Sequence, residues 1–186
     1  MPCPKIRLKR AAHLFEKLKP VFSIADCITA QTATALGGLS YARAWGYLKA
    51  LADVGYIEIW KVEKGAAPLN LYCLKNRKIE KIYVYDGHNA YIVKIRDVIN
   101  AVEKLLNGFG TYTAAVRIRR IKDMLNLPNT AVMGVLLKHL ITSVIKDAVI
   151  REEVRDSTGA YSIVLVVDRD KALNLIKEYK HGSSFS

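Results

Sequence analysis

The sequence is poor in cysteine, with three in 186 residues, at positions 3, 27 and 73. They are far apart and include no Cys-x-x-Cys pair, so we expect neither a disulfide framework nor a cysteine-rich zinc site. Cys27 and Cys73 have apolar neighbours, and we interpret them as small buried side chains. The four histidines show no metal-ligand spacing. We therefore predict no bound metal and no effect of a reductant on folding.

Apolar runs long enough to cross a bilayer are also absent, and residues 1–5 lack the apolar core of a signal peptide. We therefore expect a soluble, cytoplasmic protein that does not enter membranes. Glutamine occurs only once, at Gln31, while charged residues make up 25% of the chain. Scarce thermolabile amides and abundant charge are typical of thermophilic proteins.

The motifs of common catalytic sites are missing as well. There is no G-x-S-x-G, no P-loop and no G-x-G-x-x-G. The glycines at 108 and 110 follow a helical pattern, which favours a helix stop over a phosphate loop. Asp168 and Asp170 could hold a cation, but a helix cap followed by an acidic first turn explains them better. We predict a protein without enzymatic activity or cofactor.

Positive charge is what the chain has in excess. Its formal net charge is +12, and both halves contribute, with +7 from residues 1–93 and +5 from residues 94–186. Basic proteins attract polyanions, because each contacted phosphate releases condensed counterions. Many small basic proteins bind no nucleic acid, so charge alone leaves both possibilities open.

Periodicity in the first half predicts three helices followed by a hairpin. The helices span residues 6–19, 23–36 and 40–54, and Pro20 is expected to end the first of them. Ser40 is a natural N-cap for the third helix and Gly55 a natural stop. Residues 56–62 and 69–74 alternate as strands around a turn at 64–68.

The segment from Leu39 to Ile57 resembles the recognition-helix region of archaeal and bacterial winged-helix regulators. It has the Leu-Ser start at Leu39-Ser40, the Leu-x-x-Leu pair at Leu48 and Leu51, and the exit Gly55-Tyr56-Ile57 into the wing. The likeness extends over about the first 75 residues. It implies a winged helix-turn-helix fold and binding to DNA.

The second half repeats this order after a connector. A basic stretch at 75–81 leads into a predicted hairpin, 82–85 with 90–95, around Asp86-Gly87. Helices are then expected at 96–106, 116–125 and 130–144, strands at 148–155 and 161–167, and a last helix at 168–179. We predict an α+β fold of two tandem winged-helix modules, with domains at 1–75 and 96–186 joined by a connector and hairpin at 76–95.

The candidate DNA-binding residues are those that this arrangement exposes near the first recognition helix, its wing and the basic segments. Arginine pairs with guanine, while Ser, Tyr and Lys reach phosphates. Gly46, in the middle of that helix, permits close approach of either a DNA backbone or a neighbouring helix. The predicted set is Ser40, Tyr41, Arg43, Tyr47, Lys49, Lys61, Lys64, Arg7, Arg10, Arg117, Arg119 and Arg120. A solvated helix face would show similar residues.

The recognition helix of the second module is different, because it is rich in aliphatic residues. Val132, Val135 and Leu136 form a stripe that we expect to be a dimer interface, since exposed apolar surface is unfavourable. The alternative is that the last helix of the same chain covers this stripe.

The leading function is a duplex-DNA-binding protein of archaeal type, a transcription regulator acting as a homodimer on a two-fold site. One alternative is an adaptor whose winged helices bind other proteins. Another is an RNA- or single-strand-binding protein that stacks bases on Tyr83, Tyr85 and Tyr91.

Overall fold

The computed structural model describes residues 4–62, 69–157 and 160–182. The protein is α+β, as the sequence predicts, and its helices and strands fall into two compact units. Unit 1 is residues 1–94 and unit 2 is residues 95–186.

Unit 1 is built from three helices and a sheet. Its elements in chain order are α1 (Pro4–Phe22), β1 (Cys27–Thr29), α2 (Ala30–Gly37), α3 (Tyr41–Asp53), β2 (Ile57–Val62), β3 (Leu69–Leu74), β4 (Lys81–Tyr85) and β5 (Ala90–Lys94). The helix expected at 23–36 is wrong in its first part, because β1 occupies residues 27–29. Helix α2 starts only after Thr29, whose side chain caps it by accepting a hydrogen bond from the Thr32 amide.

Helix α1 continues through Pro20, contrary to the predicted stop. The proline lies in the last turn of the helix, so the chain loses one hydrogen bond there without losing the helix. Ser23 then closes the end, because its backbone amide donates to the Lys19 carbonyl and its hydroxyl donates to the Pro20 carbonyl.

The sheet of unit 1 has the order β2-β3-β1-β4-β5. Strand β1 pairs antiparallel with β3 on one side and parallel with β4 on the other. The β4–β5 hairpin forms as the sequence predicts, and its Asp86 carboxylate accepts hydrogen bonds from the amides of His88 and Asn89. These two hydrogen bonds lower the pKa of Asp86, and the bond from the Asn89 amide has the larger effect. The hairpin is therefore part of the sheet of unit 1, which corrects its assignment to a connector at 76–95.

A disulfide joins Cys27 of β1 to Cys73 of β3, which corrects the prediction that the cysteines form no disulfide and that a reductant has no effect on folding. The two residues are direct partners in the β1–β3 register, with their Cα atoms 4.0 Å apart, and both are fully buried. They are 46 positions apart in the sequence. The spacing of the cysteines could not show this pairing, because the sheet alone makes them neighbours.

Unit 2 has the elements α4 (Ile95–Asn107), β6 (Thr113–Arg117), α5 (Ile118–Met124), α6 (Ala131–Ile145), β7 (Val149–Ser157), β8 (Ala160–Asp168) and α7 (Arg169–Lys180), with a short 3-10 turn at Lys146–Ala148. Its sheet has the order β6-β8-β7. Strand β6 was not expected from the sequence. It is defined by its antiparallel pairing with β8, from Thr113 opposite Asp168 to Arg117 opposite Val164.

Helix α6 packs against α4, α5, α7 and β8. Leu136 is 0% exposed within this packing, so its predicted place in a dimer interface is wrong. The last helix, α7, packs against α4 and α6, and its Ala172 and Ile176 are buried.

Both units share one order of elements: helix, short strand, helix, helix and hairpin. In each, the short strand pairs antiparallel with the second strand of the hairpin. Unit 1 extends its sheet with β4 and β5, while unit 2 adds α7.

Candidate nucleic-acid interface

Helix α3 is the third helix of unit 1 and carries most of the candidate residues. Its N-cap residue, Ser40, is exposed and makes no capping bond with its side chain, so its hydroxyl is not used to start the helix. The helix ends at Asp53 with Val54 as its C-cap, and Gly55 follows with a φ of 83°, in the left-handed region that favours glycine. Ala44, Leu48 and Leu51 form the buried face.

Gly46 makes room for the Arg7 side chain of the neighbouring helix α1, which is one of the two close approaches that the sequence left open. Arg7 of α1 donates a hydrogen bond from Nη2 to the Gly46 carbonyl, at 2.9 Å. A Cβ atom at position 46 would lie 2.8 Å from that nitrogen. Arg7 remains exposed, but part of its guanidinium is committed to holding the two helices together.

The outward face of α3 carries a row of two aromatic side chains and a lysine. Tyr41, Trp45 and Lys49 follow one another at intervals of four residues, and the two aromatic residues are 58% and 42% exposed. The Lys49 ammonium lies 5.6 Å from the centre of the Trp45 ring, in a cation–π contact. Trp45 was not among the predicted site residues, although its spacing from Tyr41 and Lys49 was visible in the sequence.

Arg43 and Tyr47 lie on a different side of the same helix. At 100° per residue, Arg43 and Lys49 are about 120° apart around the axis, so they do not share one face. Arg43 and Tyr47 instead line a cavity of about 680 Å³ next to α1 and the turn between α2 and α3. The predicted set on α3 thus divides between an outward row and this cavity.

The cavity collects positive charge from α1. Predicted residue Arg10 lines it, together with three α1 residues that the sequence did not single out as a cluster: Lys9, His13 and Lys17. Their spacing of three to four residues puts them on one side of the helix. Among the described residues, no Asp or Glu is part of the lining, and Leu14, Gly37 and Leu39 supply its apolar part.

The wing is described only in part. Lys61 is exposed on β2, opposite Asn70 of β3, as expected for a residue facing solvent. Lys64, the other predicted wing contact, lies outside the described residues.

In unit 2 the three predicted arginines are all exposed, around the junction of β6 and α5. Arg117 lines a smaller cavity of about 280 Å³ on the sheet, with Arg151 and Glu153 nearby. Arg119 and Arg120 lie in the first turn of α5. The structure brings neither of these two arginines into that cavity.

Helix α6 is the counterpart of α3 in unit 2, and its exposed surface offers no comparable charge. Lys138 is the one basic residue of α6 apart from a histidine, and its ammonium pairs with Glu152 of β7 at 2.6 Å. Val132 and Val135 are half-buried. They remain accessible at the surface of this chain, unlike Leu136.

A buried lysine organises the loop before α6. Lys122 of α5 is 3% exposed, and its ammonium donates to the Thr130 carbonyl at 2.9 Å and to the Asn129 side-chain oxygen at 3.2 Å. Burial lowers the pKa of Lys122. A Cβ atom at Gly134 would lie 3.2 Å from the Lys122 nitrogen, so this glycine makes room for the buried cation.

The tyrosines of the hairpin do not form an open platform. Tyr83, Tyr85 and Tyr91 are half-buried, and Tyr83 packs against the core of unit 1. The Tyr85 hydroxyl donates to the Gly87 carbonyl at 2.7 Å, within the turn.

Within residues 4–62, 69–157 and 160–182, no three His, Cys, Asp or Glu side chains cluster in a way that could hold a metal ion. None of the helices in these ranges is both long and apolar enough to cross a bilayer.

Comparison with known proteins assigns no family. No family model matches the chain, and no curated protein matches it either. The chain resembles the crystal structure of the hypothetical protein PyrSV_gp04 from Pyrobaculum spherical virus, with 15% identity and a TM-score of 0.47 over 86% of this chain and 97% of that one. At this similarity the likeness assigns neither family nor function to this chain.

Proposed function

We propose that the protein is a tandem winged-helix protein that binds duplex DNA without catalysing a reaction and acts as a transcription regulator. The repeated order of helix, short strand, helix, helix and hairpin supports the winged-helix assignment. In such modules the helix before the hairpin enters the major groove. That helix is α3 in unit 1.

The observation that carries the proposal is the outward surface of α3. Tyr41, Trp45 and Lys49 are exposed along it, and the uncapped Ser40 hydroxyl lies at its start. The major groove is about 12 Å wide and accepts one helix of this kind. Lysine and hydroxyl groups contact phosphates, while aromatic edges contact the apolar parts of bases.

Other exposed cations of unit 1 support the same function. Lys61 is exposed on β2, and Lys9 and Arg10 are exposed on α1. Charge of one sign on a surface speeds the approach of a polyanion and stabilises the complex through counterion release.

A titration across a salt series tests the proposal. We expect the wild type to prefer duplex DNA to single-stranded DNA and RNA, with an affinity that falls steeply as salt rises. Lys49→Ala should reduce the slope of log K against log salt by about 1, because one phosphate contact is lost. The matched control is Lys104→Ala, which removes an exposed lysine from α4 of unit 2 and should leave the slope unchanged.

Equal effects of Lys49→Ala and Lys104→Ala would contradict a site on α3 and indicate a diffuse attraction. Weak, salt-independent binding to all three nucleic acids would overturn nucleic-acid binding itself and favour the adaptor function.

Single-strand binding is the second candidate, and the exposed rings of Tyr41 and Trp45 favour it. Stacking of a base on an aromatic side chain contributes about 1–3 kcal/mol. Trp45→Ala separates the two functions. If unpaired bases stack on Trp45, this variant loses single-strand affinity by about tenfold or more and keeps its duplex affinity.

A homodimer on a two-fold DNA site stays part of the proposal. With Leu136 buried, the surface that α6 can offer a second chain is reduced to the half-buried Val132 and Val135. Light scattering of Val135→Glu tests it: a dimer that dissociates with its fold intact supports this interface, and an unchanged oligomer excludes it.

A cytoplasmic location and a thermophilic source also stay predictions. Disulfides are rare in the cytosol of mesophiles, whereas intracellular proteins of hyperthermophiles often contain them. The Cys27–Cys73 bond in unit 1 is consistent with both predictions taken together.

A further inference from the structure

The cavity between α1 and α3 has the chemistry of a binding site for a small organic phosphate. Four of the described basic side chains line it: Lys9, Arg10, Lys17 and Arg43. His13 is a fifth basic residue of the lining, which includes no carboxylate from the described part of the chain. Charges of one sign around one concave surface repel each other, and a bound anion relieves that repulsion.

Most of these cations have no acidic partner within the described part of the chain. Among the residues that the structure describes, Lys9, Arg10 and Arg43 form no ion pair or side-chain hydrogen bond. Lys17 alone is engaged, since its ammonium donates to the Gly37 carbonyl at 3.5 Å, a long bond at the rim. Guanidinium groups such as those of Arg10 and Arg43 match the oxygens of a phosphate in a two-point geometry.

The apolar part of the lining indicates that the ligand carries more than a phosphate. Leu14 and Leu39 pack around Gly37, where a Cβ atom would come within 2.9 Å of a Leu14 methyl group and 3.0 Å of a Leu39 methyl group. The half-buried ring of Tyr47 adds an aromatic wall. Leucine and tyrosine next to cations suit a flat heterocycle attached to a phosphate.

The size of the cavity agrees with this class of ligand. Its volume of about 680 Å³ lies within the range of about 300–1,000 Å³ for small-molecule sites. A monocarboxylate would leave most of the positive charge unbalanced, whereas a phosphate monoester brings about two negative charges.

We propose that the cavity lined by Arg10, Arg43 and Tyr47 binds a nucleotide-sized phosphate ester. The phosphate lies among the guanidinium groups, and the base lies against Tyr47 and the two leucines. The site uses the α1 side of α3 and not the outward row, although its Lys9 and Arg10 are also among the cations that we propose attract DNA.

The test uses the full-length protein with AMP, adenosine and inorganic phosphate as probes in isothermal titration calorimetry at one ionic strength. We expect AMP to bind with one-to-one stoichiometry, at least tenfold more tightly than either adenosine or phosphate. Arg10→Ala should weaken AMP by about tenfold or more, since it removes charge-assisted hydrogen bonds. Arg10 is exposed and unpaired among the described residues, so this variant should fold, as circular dichroism will check.

Lys49→Ala is the matched control, because it removes a cation from the outward row of α3 and leaves the cavity lining intact. It should keep the AMP affinity of the wild type. AMP that binds no better than inorganic phosphate, or loses affinity equally in both variants, overturns the proposal.

The same phosphate chemistry could come from a DNA backbone, and duplex titrations of the two variants separate these sources. If AMP fails to bind while Arg10→Ala weakens duplex DNA as much as Lys49→Ala does, the cavity holds a backbone phosphate and the nucleotide proposal is wrong. If AMP binds as expected and neither variant changes duplex affinity, the nucleotide site stands and the proposed DNA-binding surface fails.

Discussion

Helices α3 and α6 occupy the same place in the element order of their units but present different chemistry. The surface of α3 has an exposed aromatic and lysine row and a basic cavity beside it. On α6 the lysine is paired with Glu152 and the aliphatic residues are largely buried. One arrangement of helices thus supports two kinds of surface, because the fold fixes where a helix lies and not which groups it exposes.

The first residues of α3 and α6 also differ in whether their polar groups make internal hydrogen bonds. Ser40 begins α3 without a side-chain cap, whereas Thr130 begins α6 with a hydroxyl that accepts from the Met133 amide. Lys122 also donates to the Thr130 carbonyl. Unit 2 therefore uses its polar groups for internal bonds near this helix, and unit 1 leaves them at the surface. The net charges agree, with +8 for residues 1–94 (15 Lys/Arg, 7 Asp/Glu) and +4 for residues 95–186 (14 Lys/Arg, 10 Asp/Glu).

The largest expected difference between the units is their response to loss of the disulfide. Cys27→Ala/Cys73→Ala should destabilise unit 1 by about 4 kcal/mol, because a loop of this length gains that much chain entropy on unfolding. Unit 2 contains no cysteine. Hydrogen exchange followed along the chain should show faster exchange in residues 4–62 and 69–94 and unchanged exchange in unit 2.

A reductant applied to the wild type is the control, and it should reproduce the pattern of the double variant. Equal stability with and without reductant would show that the bond does not form in solution and that the two thiols remain separate.

The next largest effect concerns Lys122 in unit 2. Lys122→Ala should cost about 1–3 kcal/mol in urea unfolding, because the Asn129 oxygen and the Thr130 carbonyl lose a charged donor. Lys122→Met, which keeps the apolar stem, should lose less. An unchanged midpoint in both variants would mean that water replaces the ammonium and that the loop does not depend on it.

The pH dependence of that residue has a defined sign. Burial lowers the pKa of Lys122 below its ordinary value of 10.5, so between the lowered and the ordinary pKa the unfolded chain binds more protons than the folded one. Over this range the wild type should gain stability relative to Lys122→Met as pH rises. A stability difference that stays constant with pH would contradict the burial of a charged ammonium.

A smaller difference between the units is expected in how loss of their cations changes the salt dependence of DNA affinity. Lys49→Ala combined with Lys61→Ala should lower the salt slope by about 2, whereas Arg119→Ala combined with Arg120→Ala should lower it by less than 1. Both pairs remove two exposed cations, so net charge is matched. If the second pair has the larger effect, unit 2 and not unit 1 is the main DNA-binding unit.

The smallest expected effects on stability come from replacing a glycine by alanine in α3 and in α6. Gly46→Ala gains about 1 kcal/mol of helix propensity and loses the Arg7 hydrogen bond of similar size, so its stability should hardly change. Gly134→Ala should be destabilising, because its Cβ atom would meet the buried Lys122 ammonium, which cannot move into solvent as Arg7 can. Thermal unfolding of the two variants would compare them directly, and equal shifts would refute this distinction.

Most helices and hairpins were predictable, because each depends on a local pattern. The apolar period of α3, its Ser40 start and its Gly55 stop are all visible in the chain, and so is the Asp-Gly turn of the β4–β5 hairpin. Strands β1 and β6 were missed. They have three and five residues, and pairing with β3 and β8 defines them rather than any alternation of their own.

The candidate site was predictable only as a collection of residue types. The sequence indicated that Arg10, Arg43, Tyr47 and Lys49 belong near a nucleic-acid surface, from their charge and their place in a helical period. It could not show that Arg43 faces α1 while Lys49 faces outward, since that division depends on where α1 packs along α3. Likewise, the sequence predicted an exposed Leu136, whereas the packing of α6 within unit 2 buries this side chain completely.

By itself the sequence determined the composition of this protein: its positive charge, its α+β pattern, the helical periods and the positions of most turns. These are local properties, fixed by the backbone preferences and the polarity of neighbouring residues. Tertiary structure alone decided that Cys27 pairs with Cys73, that the Gly46 carbonyl accepts a hydrogen bond from Arg7, and that α1 and α3 line one basic cavity. Each of these joins residues distant in the chain, and the packing of complete helices and strands brings them together.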